Sequence, residues 1–188
     1  MQGDFESRLE LGRLGERLVV EFLKSRRSGV VPSYDYTGSD GNKAPRLQFA
    51  TFGLIVPDLD VCREGTRQWL EVKTYAGPAW NRRRKTLVHA IPARLFADYV
   101  AVEKQSGSPV WIAVLELSSG ELLVVRLAAL DEPQSWGCEC RACSGQEIGS
   151  CFAPMKRGRY WRRDAMKLLH TFTDAELQPL RSRSKPAA

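Results

Sequence analysis

The chain has 188 residues, of which 43% are hydrophobic and 27% are charged, and it carries a formal net charge of +6. This length allows one domain with a real core, and the composition excludes a fibrous or wholly disordered chain. No apolar run approaches the roughly 18 residues of a membrane-spanning helix, and the first residues lack the pattern of a signal peptide. We therefore expect a single cytoplasmic domain over residues 1–188 with no membrane contact, and a polyanionic partner.

The N-terminal quarter predicts a long helix, a strand and a loop. Apolar residues recur at helical spacing over residues 4–27 in two adjacent stripes, which is typical of a buried helix. Glu16 lies within one stripe, where a carboxylate is costly unless it is paired or bound to a metal. An exposed helix glutamate is the alternative. Residues 30–36 indicate a first strand, and residues 37–51 a loop.

Two strands around a short Gly-containing turn are predicted at residues 56–62 and 67–73. If Glu64 and Gly65 form the tip, Asp58 stands directly opposite Glu71. Side chains alternate between the faces of a strand, so Lys73 shares the face of Glu71. Slippage of one residue in the turn would instead separate the two carboxylates.

Opposed carboxylates destabilise a hairpin, so this pair makes most sense around a cation. Oxygen ligands from carboxylates, a backbone carbonyl and water suit Mg²⁺ or Mn²⁺. Lys73 is placed to orient a water or to stabilise charge developing on a phosphate. The pattern outlines a phosphodiesterase site, and an exposed acidic hairpin is the alternative.

The motif formed by Pro57-Asp58, twelve intervening residues and Glu71-Val72-Lys73 resembles the PD-(D/E)xK nuclease superfamily. That superfamily includes restriction endonucleases and archaeal-type Holliday junction resolvases. The resemblance covers about residues 9–127, where the order of predicted elements also matches. It implies an α/β fold with a restriction-endonuclease-like αβββαβ core and a mixed central sheet.

The same resemblance implies a role for each residue of the motif. Asp58 and Glu71 would be ligands of Mg²⁺, and Val72 would lend its carbonyl oxygen. Lys73 would be the catalytic lysine, and Glu16 matches the acidic residue on the first helix that often completes the site. Nucleases of this type commonly pair two sites, so a homodimer is a further expectation.

The chain continues with a basic loop, residues 82–85, and a short strand at residues 86–90. A second helix begins near Pro92 and ends at Gly107, and two strands follow at residues 110–117 and 121–127. The side of this helix predicted to be buried carries Ala93, Phe96, Ala97, Val100 and Ala101.

Four of the five cysteines fall within fourteen residues: Cys138, Cys140, Cys143 and Cys151. They lie in a Gly- and Ser-rich insertion, residues 131–155, which has too little apolar content to order itself. Four thiolates predict a structural Zn²⁺ that supplies this folding energy. The spacing departs from that of ordinary zinc ribbons, and an iron–sulfur cluster or a loop with incidental thiols are the alternatives. Cys62 is remote and is predicted to be a core thiol.

Residues 156–163 interleave basic and aromatic side chains, a pattern that suits phosphate contact and stacking on unpaired bases. A strand with Tyr160 and Trp161 against a sheet is the alternative. His89 and His170 have no ligand-like companions, so we expect structural or surface roles for them. Residues 181–188 are predicted to be a disordered tail. The candidate nucleic-acid contacts are Arg82, Arg83, Arg84, Lys85, Lys156, Arg157, Arg159 and Arg162.

Together these patterns predict a DNA endonuclease that depends on Mg²⁺ or Mn²⁺ and carries a structural Zn²⁺. Two alternatives stay open. One is a zinc-containing module that binds DNA without cutting it, and the other is a nucleic-acid-processing subunit of a larger complex.

Overall fold

The computed structural model of the protein describes residues 2–33, 45–82, 84–130, 135–136 and 158–184. Three helices lie within these residues: α1 (Gln2–Ser25), α2 (Ala93–Ser106) and α3 (Asp174–Ser184). The strands there are β1 (Gly29–Pro32), β2 (Arg46–Gln48), β3 (Gly53–Ile55), β4 (Leu59–Arg63), β5 (Thr66–Tyr75), β6 (Ala79–Asn81), β7 (Thr86–Pro92), β8 (Val110–Glu116), β9 (Glu121–Arg126), β10 (Ser135–Trp136), β11 (Gly158–Arg162) and β12 (Lys167–Thr171). In this part of the chain, no helix is long and apolar enough to cross a membrane.

The central sheet has six strands in the order β1-β4-β5-β8-β9-β12. Only its central pair, β5 and β8, runs parallel, and the other neighbours are antiparallel. A parallel pair needs a crossover connection, and here the connection contains β6, β7 and α2. The expected α/β class with a mixed central sheet is therefore confirmed.

Two further sheets accompany the central one. A four-stranded sheet has the order β10-β11-β7-β6, and β2 pairs with β3 in a small hairpin. The alternative interpretation of residues 156–163 is a strand, and β11 (Gly158–Arg162) agrees with this alternative. Trp161 from this strand is fully buried in the core.

The central sheet separates two apolar clusters. Alternation along β5 sends Trp69 to one cluster, which contains Tyr99 of α2, and sends Leu70 and Val72 to the other. The second cluster is covered by α1 and α3, including the fully buried Val19. Because the middle of β5 is covered on both faces, Glu71 is buried there and Lys73 is half-buried, whereas Arg67 near the start of the strand is exposed.

The hairpin of β4 and β5 has the register predicted for it. Leu59 pairs with Leu70 and Arg63 pairs with Thr66, so only Glu64 and Gly65 remain in the turn. Both turn residues have positive φ angles, 51° and 78°. A two-residue turn of this kind matches the twist of the strands it joins. The turn therefore fixes the register on which the opposition of Asp58 and Glu71 depends.

The predicted loop over residues 37–51 is wrong at Arg46–Gln48, which forms β2, whereas residues 49–51 are a loop as predicted. Leu47 and Leu54 of the β2–β3 hairpin pack against the first cluster, so burial orders this segment despite its turn-forming composition. Residues 37–44 of that loop, and residues 34–36 of the predicted first strand, lie outside the described residues.

The predicted buried side of α2 is also wrong in part. Tyr99 and Val102 are the buried residues of this helix, while Val100 is 47% exposed. The prediction followed the small residues, whereas the larger aromatic ring buries more apolar area when it faces the sheet.

Two other predictions need correction. Cys62 is exposed rather than a core thiol, because it lies near the end of β4 beyond the covered part of the sheet. Residues 181–184 belong to α3 rather than to a disordered tail, and Arg181 Nε donates a hydrogen bond of 2.8 Å to the Leu117 carbonyl. Residues 185–188 lie outside the described residues.

Candidate active site

Asp58 is held against β5 by both its backbone and its side chain. Its carbonyl accepts a 2.7 Å hydrogen bond from Ser33 N, while the Ser33 hydroxyl donates to the Pro57 carbonyl. Asp58 precedes the first paired residue of β4, and its Oδ2 accepts a 2.9 Å hydrogen bond from Val72 N. The Asp58 carboxylate thus accepts a hydrogen bond from the backbone of β5 just before β4 begins.

Glu71 and Lys73 lie on β5 next to this carboxylate. The Glu71 side chain is only 1% exposed, and Lys73 Nζ forms an ion pair with its Oε1. Lys73 Nζ also lies 3.4 Å from the Val72 carbonyl oxygen, to which it donates. The structure therefore gathers all four residues of the sequence motif, with the ammonium group next to one carboxylate and one carbonyl.

Glu16 reaches the same region because α1 packs closely on β5. A Cβ atom at Gly15 would lie 1.9 Å from Thr74 Oγ1, so only glycine permits this separation of helix and strand. Glu16 follows Gly15 directly, and its carboxyl interacts electrostatically with both Lys73 and Glu71. The close approach at Gly15 is the local reason why the helix presents an acidic residue to the strand.

The carboxyl groups of the site oppose one another's ionisation. Burial, followed by the charge of Glu71, raises the pKa of Asp58 well above its usual range. Burial also raises the pKa of Glu16, against the attraction of Lys73. The ammonium group of Lys73 acts on all three acidic side chains, and the charges of Arg13 and Arg17 also favour the ionised form of Glu16.

Lys73 is held in its charged form. Burial favours the neutral amine, but the charges of Glu71 and Asp58 outweigh it and raise the pKa of Lys73. The side chain is therefore an ammonium at neutral pH, able to donate hydrogen bonds and to stabilise negative charge but not to accept a proton.

Tyr99 of α2 belongs to the same environment and was missed by sequence reasoning. Its side chain is buried, and its pKa is raised by burial and then by the charges of Glu71 and Asp58. It remains a neutral phenol that closes the site on the side of α2. The signal was present, since Leu95, Tyr99 and Val102 recur at helical spacing, but a tyrosine in such a stripe is usually only a core residue.

The residues present fit a divalent cation in two respects. Neither buried oxygen of Glu71 accepts a hydrogen bond of regular geometry from a described residue, although Lys73 and the Tyr99 hydroxyl both lie beside this carboxylate. Asp58, Glu71 and the Val72 carbonyl also supply the hard oxygen atoms that Mg²⁺ and Mn²⁺ prefer. Among the described residues, no group of three or more acidic, histidine or cysteine side chains is arranged around a common cation position. Glu16 therefore contributes here through its charge.

The predicted basic residues occupy two places. Arg82, Arg84 and Lys85 are exposed in the turn between β6 and β7, whereas Arg83, Lys156 and Arg157 lie outside the described residues. On β11, the Arg159 guanidinium lies 5.3 Å from the centre of the Phe96 ring, and Arg162 forms an exposed ion pair with Asp164.

The cysteine cluster predicted to bind Zn²⁺ lies outside the described residues. It consists of Cys138, Cys140, Cys143 and Cys151.

A second buried charged cluster joins the two larger sheets. His89 of β7 is buried, with Nε2 2.7 Å from Glu116 Oε1. Arg163 makes hydrogen bonds of 2.7 and 3.0 Å to the two oxygens of the same carboxylate and also contacts Glu121. Tyr75 stacks on His89, with ring centres 5.6 Å apart. Because Tyr75 follows Lys73 by two residues, this cluster fixes β7 next to the end of the site strand.

Comparison with known proteins finds likeness to solved structures but none to sequence families. No protein-family model matches the chain, and no curated protein matches it. Among solved structures, the chain is similar to Hjc from Archaeoglobus fulgidus, a Holliday junction resolvase from an archaeal hyperthermophile. The two are 12% identical with a TM-score of 0.48, and the match covers 82% of this chain and 90% of that chain. We base the functional proposal on the geometry of the site rather than on this likeness.

Proposed function

We propose that the chain is a metal-dependent deoxyribonuclease with a restriction-endonuclease-like core, and that Asp58, Glu71 and Lys73 form its catalytic site. One observation carries the proposal. The Val72 amide fixes Asp58 beside a buried carboxylate and an ammonium group, in the register that the sequence motif requires. The order α1, β1, β4, β5, α2, β8 supports the expected αβββαβ core, with the β2–β3 and β6–β7 hairpins as additions.

Asp58, Glu71 and the Val72 carbonyl would hold Mg²⁺ or Mn²⁺. When bound, such an ion supplies Lewis-acid stabilisation of the negative charge that develops on a phosphoryl oxygen during hydrolysis. Lys73 supplies a second positive charge and a hydrogen-bond donor next to the reacting phosphate. Glu16 adds negative charge that favours cation binding, and Tyr99 excludes water from the inner side of the site.

A buried glutamate beside a lysine argues for cutting over binding alone. Burying Glu71 costs folding free energy. A protein that only binds the phosphate backbone gains no affinity from a carboxylate near its ligand, because both groups are negatively charged. The structural Zn²⁺ at the cysteine insertion and the homodimer stay predictions, since no described residue bears on either.

The direct test is incubation of supercoiled, linear and branched DNA with the purified chain in Mg²⁺, Mn²⁺ or EDTA. We expect cleavage with either ion and none in EDTA. Asp58→Asn should not cleave, because the amide keeps the hydrogen bond to Val72 but loses the charge. Tight DNA binding by the wild type without cleavage in any ion would favour the non-cleaving alternative.

A further inference from the structure

The strand ends and the turn between β6 and β7 form what we call the basic hairpin tip (residues 80–82 and 84–87). Asn81 pairs with Thr86, and the described residues between them, Arg82, Arg84 and Lys85, are all basic. The Arg84 amide donates a 2.9 Å hydrogen bond to Asn81 Oδ1, and Lys85 has a φ of 49°. This local bonding favours one turn conformation and holds the cationic side chains at the end of the two strands.

Trp80 and Leu87 form an apolar pair directly behind this turn. They are opposed residues of β6 and β7, so they lie on the same face of the hairpin. Trp80 is 59% exposed and Leu87 is 41% exposed, whereas Val88 and His89, the next residues of β7, are buried. The hairpin thus leaves the core at Val88, and in the described part of the chain its tip carries an accessible indole ring.

The chain segment that carries the pair has charge of one sign. Between Glu71 and Asp98 the sequence has no acidic residue, yet it has six lysines and arginines. Isolated exposed apolar residues are ordinary on protein surfaces, but an aromatic ring on a hairpin whose turn exposes Arg82, Arg84 and Lys85 suits a ligand with both negative charge and flat apolar faces. Unpaired nucleotides have this combination, because each offers a phosphate and an exposed base.

The basic hairpin tip lies close to the proposed site. The Tyr75 hydroxyl donates a 2.6 Å hydrogen bond to the Ala90 carbonyl, which ties β7 to the end of β5. Thr86 lies four residues before Ala90 on β7, and Lys73 lies two residues before Tyr75 on β5, so the path along the two strands is roughly 20 Å at the rise of a strand. That length corresponds to about six base steps of duplex DNA, so one nucleic acid can span both places.

We propose that the basic hairpin tip binds unpaired bases, with Trp80 stacked on a base, Leu87 packed beside it and the turn cations on the flanking phosphates. This inference rests on the proposed nuclease function and specifies its substrate class. The substrate is DNA that has unpaired bases within a few nucleotides of the cleaved bond. Paired bases hide their faces within the stack, so fully paired DNA would engage only the cations.

The test compares the affinity of the full chain for a labelled duplex with its affinity for the same duplex carrying an unpaired bulge, in EDTA. The wild type should bind the bulged DNA more tightly. Trp80→Ala should weaken bulge binding by about 5- to 100-fold and duplex binding by less than about twofold, as expected for loss of one base–aromatic stack. Trp80→Phe should retain most of the affinity, and Leu168→Ala, which alters a side chain 57% exposed on β12, should change neither.

Three results would overturn the proposal: unchanged bulge binding by Trp80→Ala, equal weakening on both DNAs, or a loss of binding to anionic phospholipid vesicles with DNA binding intact. The last would assign the tip to a membrane surface. Because the assay contains no divalent cation, its outcome does not depend on cleavage. Failure of the wild type to cleave in Mg²⁺ would count against the nuclease and would leave the stacking result to be judged separately.

Discussion

At the residue scale, the buried carboxyl group of Asp58 lowers the free energy of unfolding. Burial and the charge of Glu71 raise its pKa, while the hydrogen bond from Val72 and the charge of Lys73 act in the other direction. A carboxyl whose pKa is raised by folding binds more protons in the native state than in the unfolded state. Stability therefore falls as pH rises from the ordinary pKa of aspartate, about 3.9, through the raised value. The ionised form of the Asp58 carboxyl therefore opposes folding.

The first stability prediction is that Asp58→Asn is more stable than the wild type when no divalent cation is present. The gain should be about 1 kcal/mol at pH 7, or about 2–4 °C in Tm, and it should vanish below about pH 4. Thermal unfolding monitored by circular dichroism in EDTA measures it. Mg²⁺ should raise the Tm of the wild type and leave that of Asp58→Asn unchanged, because only the wild type retains both ligands. A variant less stable than the wild type at every pH would contradict this account of Asp58.

At the element scale, the packing of α1 on β5 depends on Gly15. A methyl group there would overlap Thr74 Oγ1, whereas a Cβ at Gly12, one turn earlier, would meet nothing within 4 Å. Gly15→Ala should therefore destabilise the protein by about 1–3 kcal/mol as helix and strand separate. Gly12→Ala should stabilise it by about 0.5–1 kcal/mol through helix propensity.

Urea unfolding of the two glycine variants compares them in one experiment. Because Glu16 adjoins Gly15, we also expect Gly15→Ala to weaken Mg²⁺ binding and Gly12→Ala to leave it unchanged. Equal stability of the two variants would show that α1 adjusts its position freely, and the placement of Glu16 would then lose its explanation.

The elements also show what the sequence can predict. The register of β4 and β5 follows from a two-residue turn and alternating apolar residues, which are local features, so the opposition of Asp58 and Glu71 could be predicted. The face of α2 could not, because two sides of that helix carry apolar residues and the choice between them depends on the volume beneath. The role of Tyr99 could not be predicted either, because its contact with Glu71 joins distant parts of the chain.

At the scale of the whole molecule, the cluster around Glu116 joins the central sheet to the sheet that carries the basic hairpin tip. Arg163 approaches Glu116 from the end of β11, and His89 approaches it from β7. His89 is buried, which lowers its pKa, so it is mostly neutral at pH 7 and Arg163 is the main cation beside the Glu116 carboxylate. Arg163 follows Arg162, a candidate DNA contact, in the basic and aromatic run of residues 156–163. Its described partners are nevertheless acidic residues of the fold, Glu116 and Glu121.

Arg163→Ala should therefore destabilise the protein by about 2–4 kcal/mol, because it leaves a buried carboxylate without its strongest partner. The neighbouring variant Arg162→Ala is the control, since it removes only an exposed ion pair worth less than about 1 kcal/mol. Chemical denaturation at pH 7 separates the two. Equal and small losses would mean that the two sheets are joined mainly by apolar contacts.

The central claim is that one buried site on β5 cleaves DNA. The most direct test measures the rate of single-turnover cleavage by Lys73→Ala in saturating Mg²⁺, together with the affinity of the variant for DNA. The ammonium group would stabilise charge that develops only during the reaction, so the rate should fall by at least about 100-fold while affinity changes less than about fivefold. Lys85→Ala should show the reverse pattern, with weaker binding and an almost unchanged rate at saturating protein. Cleavage by Lys73→Ala at the wild-type rate would contradict the account.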